Sequence, residues 1–109
     1  MVILRKGLVY FKDVLAGYIE ENEVGYRFYY DETYLESPSA YKISVTMPLQ
    51  KEPFDSKTLH PFFDGLIPEG WILSVVIKNW KINPKDRMGL LLTVCNDCIG
   101  AVSIKEYNE

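Results

Sequence analysis

The chain has 109 residues, 48% of them hydrophobic and 25% charged, with a net charge of −3 and a pI near 5.2. One domain of this length, residues 1–109, buries roughly 65% of the surface that its unfolded form exposes, and the acidic balance gives no sequence-wide positive field to attract a nucleic-acid backbone. No run approaches the ~18 apolar residues of a membrane span, and the opening MVILRKG carries its charge after its apolar residues, opposite to a secretion signal; the expected location is the cytoplasm, where the two cysteines stay reduced.

The runs LVYF (8–11) and VLAGYI (14–19) are β-prone and separated by Lys12 and Asp13, which predicts a tight hairpin without glycine. In VGYRFYYD, Tyr26, Phe28 and Tyr30 alternate with Gly25, Arg27 and Tyr29, a third strand with one apolar face. ETYLESPSAY supports no more than a helical turn. In KISVTMP, Ile43, Val45 and Met47 alternate with Ser44 and Thr46, predicting a fourth strand that Pro48 ends. The polar span LQKEPFDSK reads as a surface loop, and IEENE (19–23) as a solvated acidic turn.

The pattern then changes period. Leu59, Phe62, Phe63, Leu66 and Ile67 form the stripe of an amphipathic helix, with Asp55 or Ser56 as its cap, Pro61 in its first turn and Pro68 at its end. This spacing makes Phe62 and Phe63 core residues. A second helix is expected from about Gly70 to Trp80, burying Ile72, Leu73, Val76, Ile77 and Trp80. Asn83, Pro84 and Asp86 supply an N-cap, a proline at N1 and an acid at N3 for a third helix. Its Met88, Leu91, Leu92 and Cys95 share one face, with Leu90 and Val94 on another, so it is expected to be buried on two sides. AVSIK, after Gly100, reads as a last strand. The fold class is therefore α+β: a small antiparallel sheet of about five strands packed with three helices.

Trp71 stands apart from these core positions. At about 100° per residue it projects nearly opposite the buried stripe of the second helix, with Val75 one turn beyond it. Two readings follow. An exposed tryptophan backed by a valine is an interface anchor, whereas in the first helical turn the indole can also fold over the strands or the Pro68 corner and belong to the core.

Catalytic chemistry finds little support. Cys95 and Cys98 form a CxxC, but they follow the end of the third helix, where the helix dipole disfavours a thiolate. Structural zinc needs four ligands, and His60 is the chain's one histidine. His60 has no serine or cysteine at a triad spacing, Asp64 and Glu69 read as capping or solvated groups, and neither GxGxxG nor a Walker loop occurs. No catalytic residue, metal site or cofactor is expected.

Taken in order, LVYFKDVLAGYI, FYYDETYL, ISVTMPLQ, PFFDGLIPEG and LLLTVCNDCIGAV resemble the N-terminal subdomain of HipA-like Ser/Thr kinases across nearly the whole chain. FFDGLIPEG and CIGAV are the most specific elements. Two departures are Ile67, where leucine is usual, and a first hairpin without its customary glycine. In full-length HipA-like toxins a kinase body with the nucleotide loop and catalytic Asp follows, and nothing of that kind fits after Gly100. The chain is accordingly similar to the free-standing HipS proteins of three-part HipBST toxin–antitoxin systems. This resemblance implies a non-enzymatic antitoxin that binds and inhibits a shortened HipA-like Ser/Thr kinase (HipT-like), while a HipB-like helix-turn-helix protein contacts the DNA; no direct nucleic-acid or membrane contact is implied. Helical spacing and resemblance together assign partner binding to Trp71, Val75 and the Pro68-Glu69-Gly70 corner. An alternative is a structural N-terminal piece of a longer HipA-like kinase, and a third class is a small redox or metal protein using Cys95 and Cys98.

Overall fold

The computed structural model describes residues 2–67, 78, 85–94 and 101–107. Five antiparallel strands, β1 (Ile3–Phe11), β2 (Val14–Asn22), β3 (Tyr26–Tyr30), β4 (Phe54–Ser56) and β5 (Val102–Glu106), lie in the order β4-β3-β2-β1-β5. Three helices among the described residues accompany them: α1 (Glu32–Glu36), α2 (Pro61–Asp64) and α3 (Arg87–Val94). The α+β class is as expected.

The β1–β2 hairpin turns at Lys12 (φ 50°) and Asp13 (φ 66°), so both central residues are left-handed. This twist suits a two-residue hairpin, even though neither residue is glycine. Residues directly opposite each other in antiparallel strands share a face. The register pairs Gly7 with Ile19, Ile19 with Phe28, and Val9 with Ile104, which gathers one apolar face across four strands. α3 lies on that face: a Cβ on Gly7 would stand 2.8 Å from Leu92 Cδ2, so the glycine lets the helix approach. Met88, Leu90, Leu91 and Leu92 are all buried, as expected of a helix covered on two sides. Phe28 and Phe63, both fully buried, tilt against each other at 5.3 Å and contribute roughly 1.5–3 kcal/mol each by burial.

The strand expected at Ile43–Met47 is instead a tight turn, with a single bridge pairing Ser44 and Met47. The alternation holds for burial at Ile43 and Met47 but fails at Val45, which was expected on the same apolar face and is 82% exposed because it sits in the turn. The backbone, however, is satisfied by side chains rather than by a neighbouring strand. Buried Tyr30 accepts from Ile43 N at 3.1 Å and donates to the Met47 carbonyl. Tyr34 donates to Tyr41 O at 2.6 Å and accepts from Tyr41 N at 3.0 Å. Two tyrosines thus clamp a loop against the core.

The fourth strand lies where a loop was expected. Phe54, Asp55 and Ser56 pair with Phe28, Arg27 and Tyr26, and Arg27 grips Asp55 through Nε (2.6 Å) and Nη2 (3.1 Å). Asp55 and Ser56 therefore do not cap α2. His60 occupies the N-cap position with Pro61 at the start of the helix, and the helix is a single turn that closes through Leu66 N to Phe63 O (3.0 Å). Leu59, Phe63 and Ile67 are nevertheless buried, and Phe62 and Leu66 half-buried, as the stripe implied. α3 begins at Arg87, with Asp86 Oδ1 accepting from Gly89 N at 3.1 Å, so the capping acid is Asp86 itself; Asn83 and Pro84 lie outside the described residues.

The acidic stretch IEENE is not a solvated turn. β2 continues through Asn22, Glu20 is buried, and the Asn22 side chain accepts from Val24 N and Gly25 N, both at 2.9 Å, to shape the turn into β3.

Candidate partner-docking surface

Pro68, Glu69, Gly70, Trp71 and Val75 lie outside the described residues, as do Cys95 and Cys98; within the expected second helix, Lys78 is helical and exposed. The structure does bring together the segments flanking that region. Arg87 Nε at the start of α3 donates to Asp64 Oδ1 at the end of α2, at 2.6 Å. The two side chains are 31% and 44% exposed, so solvent screening limits the pair to at most about 1 kcal/mol. Its effect is on position.

A second clamp fixes the start of α3 to the sheet. Arg5 on β1 donates through Nε and Nη2 to Glu21 (2.7 and 3.0 Å) and through Nη1 and Nη2 to Asp86 (2.9 and 2.6 Å). The hydrogen bond from Arg5 holds the Asp86 carboxyl below its ordinary range, against the opposing effect of burial. Asp86 and then Glu21 raise the affinity of the Arg5 guanidinium for its proton. The fork geometry of arginine allows one side chain to serve two carboxylates.

His60 fastens β4 to α2. Its ring lies edge-on to Phe63 at 5.9 Å, and Nε2 contacts Phe54 O at 2.7 Å. A carbonyl can only accept, so Nε2 carries the proton and Nδ1 is left as a buried acceptor with no partner among the described residues. Burial pushes the imidazole pKa down, opposed by the bond to Phe54. Asp64, expected to be solvated or capping, is instead engaged by Arg87.

The other face of the sheet is rich in tyrosine. Lys6 Nζ stands 4.6 Å from the ring centre of Tyr18, 5.0 Å from that of Tyr107 and 6.0 Å from that of Tyr29, and 3.7 Å from Glu20 Oε2. Tyr29 donates to Glu20 at 2.7 Å and Tyr18 to Asp31 at 2.9 Å, and burial first, then the bond to Glu20, pushes the Tyr29 phenol up. Lys105 lies over Tyr10 at 5.2 Å. Sequence reading passed over this surface, although the period-2 spacing of Lys6, Leu8 and Tyr10 on β1 and of Arg27 and Tyr29 on β3 marks it. Among the described residues no group of three His, Cys, Asp or Glu could hold a metal ion, and no helix is long and apolar enough to cross a membrane.

These features define an α+β domain with helices on one sheet face, two charged clamps at its helix ends and an aromatic outer face. Residues 7–105 match the family model for the HipA N-terminal domain, and the chain belongs to that family. It is 32% identical to an uncharacterized protein of Haemophilus influenzae over 107 residues, 98% of this chain and 97% of that protein. Over 77 residues it is 30% identical to Y4mE of Sinorhizobium fredii, described as a putative kinase; the match spans 71% of this chain and 18% of that protein. The solved N-terminal domain of HipA toxin superposes with a TM-score of 0.71 over 100% of this chain and 98% of that one, at 21% identity, a likeness of fold. The domain of this family is a non-catalytic subdomain.

Proposed function

We propose that this protein is a non-catalytic antitoxin module that docks on a shortened HipA-like Ser/Thr kinase and holds it inactive. The observation that carries this reading is the family membership combined with a relative from Haemophilus influenzae of which the chain spans 97%, so that in that organism the domain makes up nearly an entire protein. In this reading the domain acts by binding. The proposed mechanism is steric: Trp71, with Val75 and the Pro68-Glu69-Gly70 corner, enters or covers the kinase cleft. A desolvated tryptophan anchor contributes about 2 kcal/mol or more to an interface of this type. The Asp64–Arg87 and Arg5–Asp86 bonds suit a role in setting the two flanks of that element, at Ile67 and Lys85. In this scheme a HipB-like helix-turn-helix protein completes the complex and carries its DNA contact, in the cytoplasm.

A second reading is favoured by Y4mE, of which the chain matches only 18%: the same domain would there be a structural N-terminal part of a longer kinase. Co-purification with the products of the neighbouring genes, followed by a phosphorylation assay of the kinase recovered, tests the first reading. Binding with slowed phosphorylation supports it, and a complex that phosphorylates as fast as the free kinase refutes inhibition.

A further inference from the structure

The junction of β4 and α2 is held through a single titratable ring. His60 is only 5% exposed, its Nε2–H is committed to Phe54 O at 2.7 Å, and Nδ1 is buried without a partner among the described residues. The surrounding charged groups are engaged elsewhere. Asp55 on β4, the carboxylate whose charge acts on the ring, is bonded to Arg27 of β3, and Asp64 on α2 is bonded to Arg87 of α3. Phe63 lies edge-on to the ring, with centroids 5.9 Å apart.

We propose that His60 is an acid-sensitive latch: the neutral ring ties β4 to the start of α2, and a proton arriving at Nδ1 releases the junction. The reason is the unequal cost of the two forms. Neutral imidazole leaves one acceptor unpaired, whereas imidazolium places a net charge and an unsatisfied N–H in an apolar pocket. Opening the junction lets water solvate that charge. The sign follows from linkage. Burial lowers the folded-state pKa below the ordinary histidine value of about 6.5, so the opened form takes up the proton first as pH falls. Stability is therefore complete above about pH 6.5 and declines as pH falls from there towards the folded pKa, with the opening equilibrium rising by up to about tenfold per pH unit for one proton. Because α2 leads directly into residues 68–71, partner affinity should fall over the same interval; this last consequence rests on the docking function proposed above.

The test is amide hydrogen exchange by NMR on the whole chain at pH 7.0 and 5.5, corrected for intrinsic rates, in the wild type and in His60→Gln. Glutamine keeps an N–H donor for Phe54 O but does not titrate. In the wild type, protection of Asp64 N and Gly65 N, which donate to His60 O and Pro61 O at 2.9 Å, should fall at the lower pH, by up to about eightfold for one proton taken up with an open-state pKa of about 6.5, while the β1–β2 ladder is unchanged. In His60→Gln these two amides should respond little. An equal acid response in the variant overturns the latch. Should the variant fail to fold, titration of the wild-type ring protons decides: a midpoint at or above 6.5 overturns the proposal, and one clearly below supports it. A kinase that binds at neither pH refutes only the docking function, because exchange and titration read the latch without it.

Discussion

Replacing Tyr30 by phenylalanine removes one oxygen and tests how the loop at residues 41–47 is held. That hydroxyl accepts from Ile43 N and donates to Met47 O, and both bonds are buried. Its loss leaves a backbone donor and a backbone acceptor unsatisfied, at roughly 1–3 kcal/mol for each group. Partial relaxation of the turn places the total at about 2–4 kcal/mol. At about 4 °C per kcal/mol for a domain of this size, the melting temperature should drop by about 8–16 °C. Tyr34→Phe is the internal comparison. Tyr34 makes an equivalent pair of bonds to Tyr41, but these are only part-buried and Tyr41 is exposed, so water can replace the hydroxyl. The expected loss there is about 1 kcal/mol. Thermal and urea denaturation of both variants provides the assay. A Tyr30→Phe loss below about 1 kcal/mol, or no larger than that of Tyr34→Phe, would show that the hydroxyl is not what fixes the loop.

Two further perturbations address the sheet. Lys12 and Asp13 hold left-handed backbone at the first hairpin, so exchanging them for Asn-Gly should stabilise the protein by about 0.5–1 kcal/mol; an unchanged or lower urea midpoint contradicts the turn assignment. At Gly17 an added Cβ would meet the Tyr29 carbonyl at 2.4 Å, and since the obstacle is backbone, Gly17→Ala should cost about 2 kcal/mol or more. A variant that melts like the wild type would mean that β2 and β3 are not so close.

What was legible in the sequence was whatever a local period records. The hairpin, the alternation of Tyr26, Phe28 and Tyr30, the last strand and the buried α3 all follow from spacing, because burial on one face leaves a mark every second or every third to fourth residue. Ile43, Val45 and Met47 show where spacing stops being sufficient. Their alternation recorded burial at Ile43 and Met47 but not at Val45, which the turn carries into solvent. The Ile43 N–H and Met47 carbonyl pair with the Tyr30 hydroxyl, as the neighbouring Tyr41 backbone does with Tyr34, which no local pattern announces. β4 was missed for the converse reason: three residues carry no measurable period, and their identity as a strand comes from the partner β3 and the Arg27–Asp55 bond. The long-range clamps were equally hidden. Arg5 reaches Asp86 across 81 positions of sequence. At the docking surface, the residues assigned from Trp71's place on the helical wheel lie outside the described part of the chain. The flanking anchors Asp64, Arg87 and Asp86 were visible only as a helix-end acid, an unremarked arginine and a capping signal.

The most direct measurement is the phosphorylation rate of the partner kinase, titrated with the wild-type chain and with Trp71→Ala, alongside the melting temperature of each. The account predicts that the wild type silences the kinase, while the variant keeps its melting temperature and binds at least about 30-fold more weakly, the equivalent of about 2 kcal/mol. Equal inhibition by both chains, or an affinity loss matched by loss of folding, would contradict it.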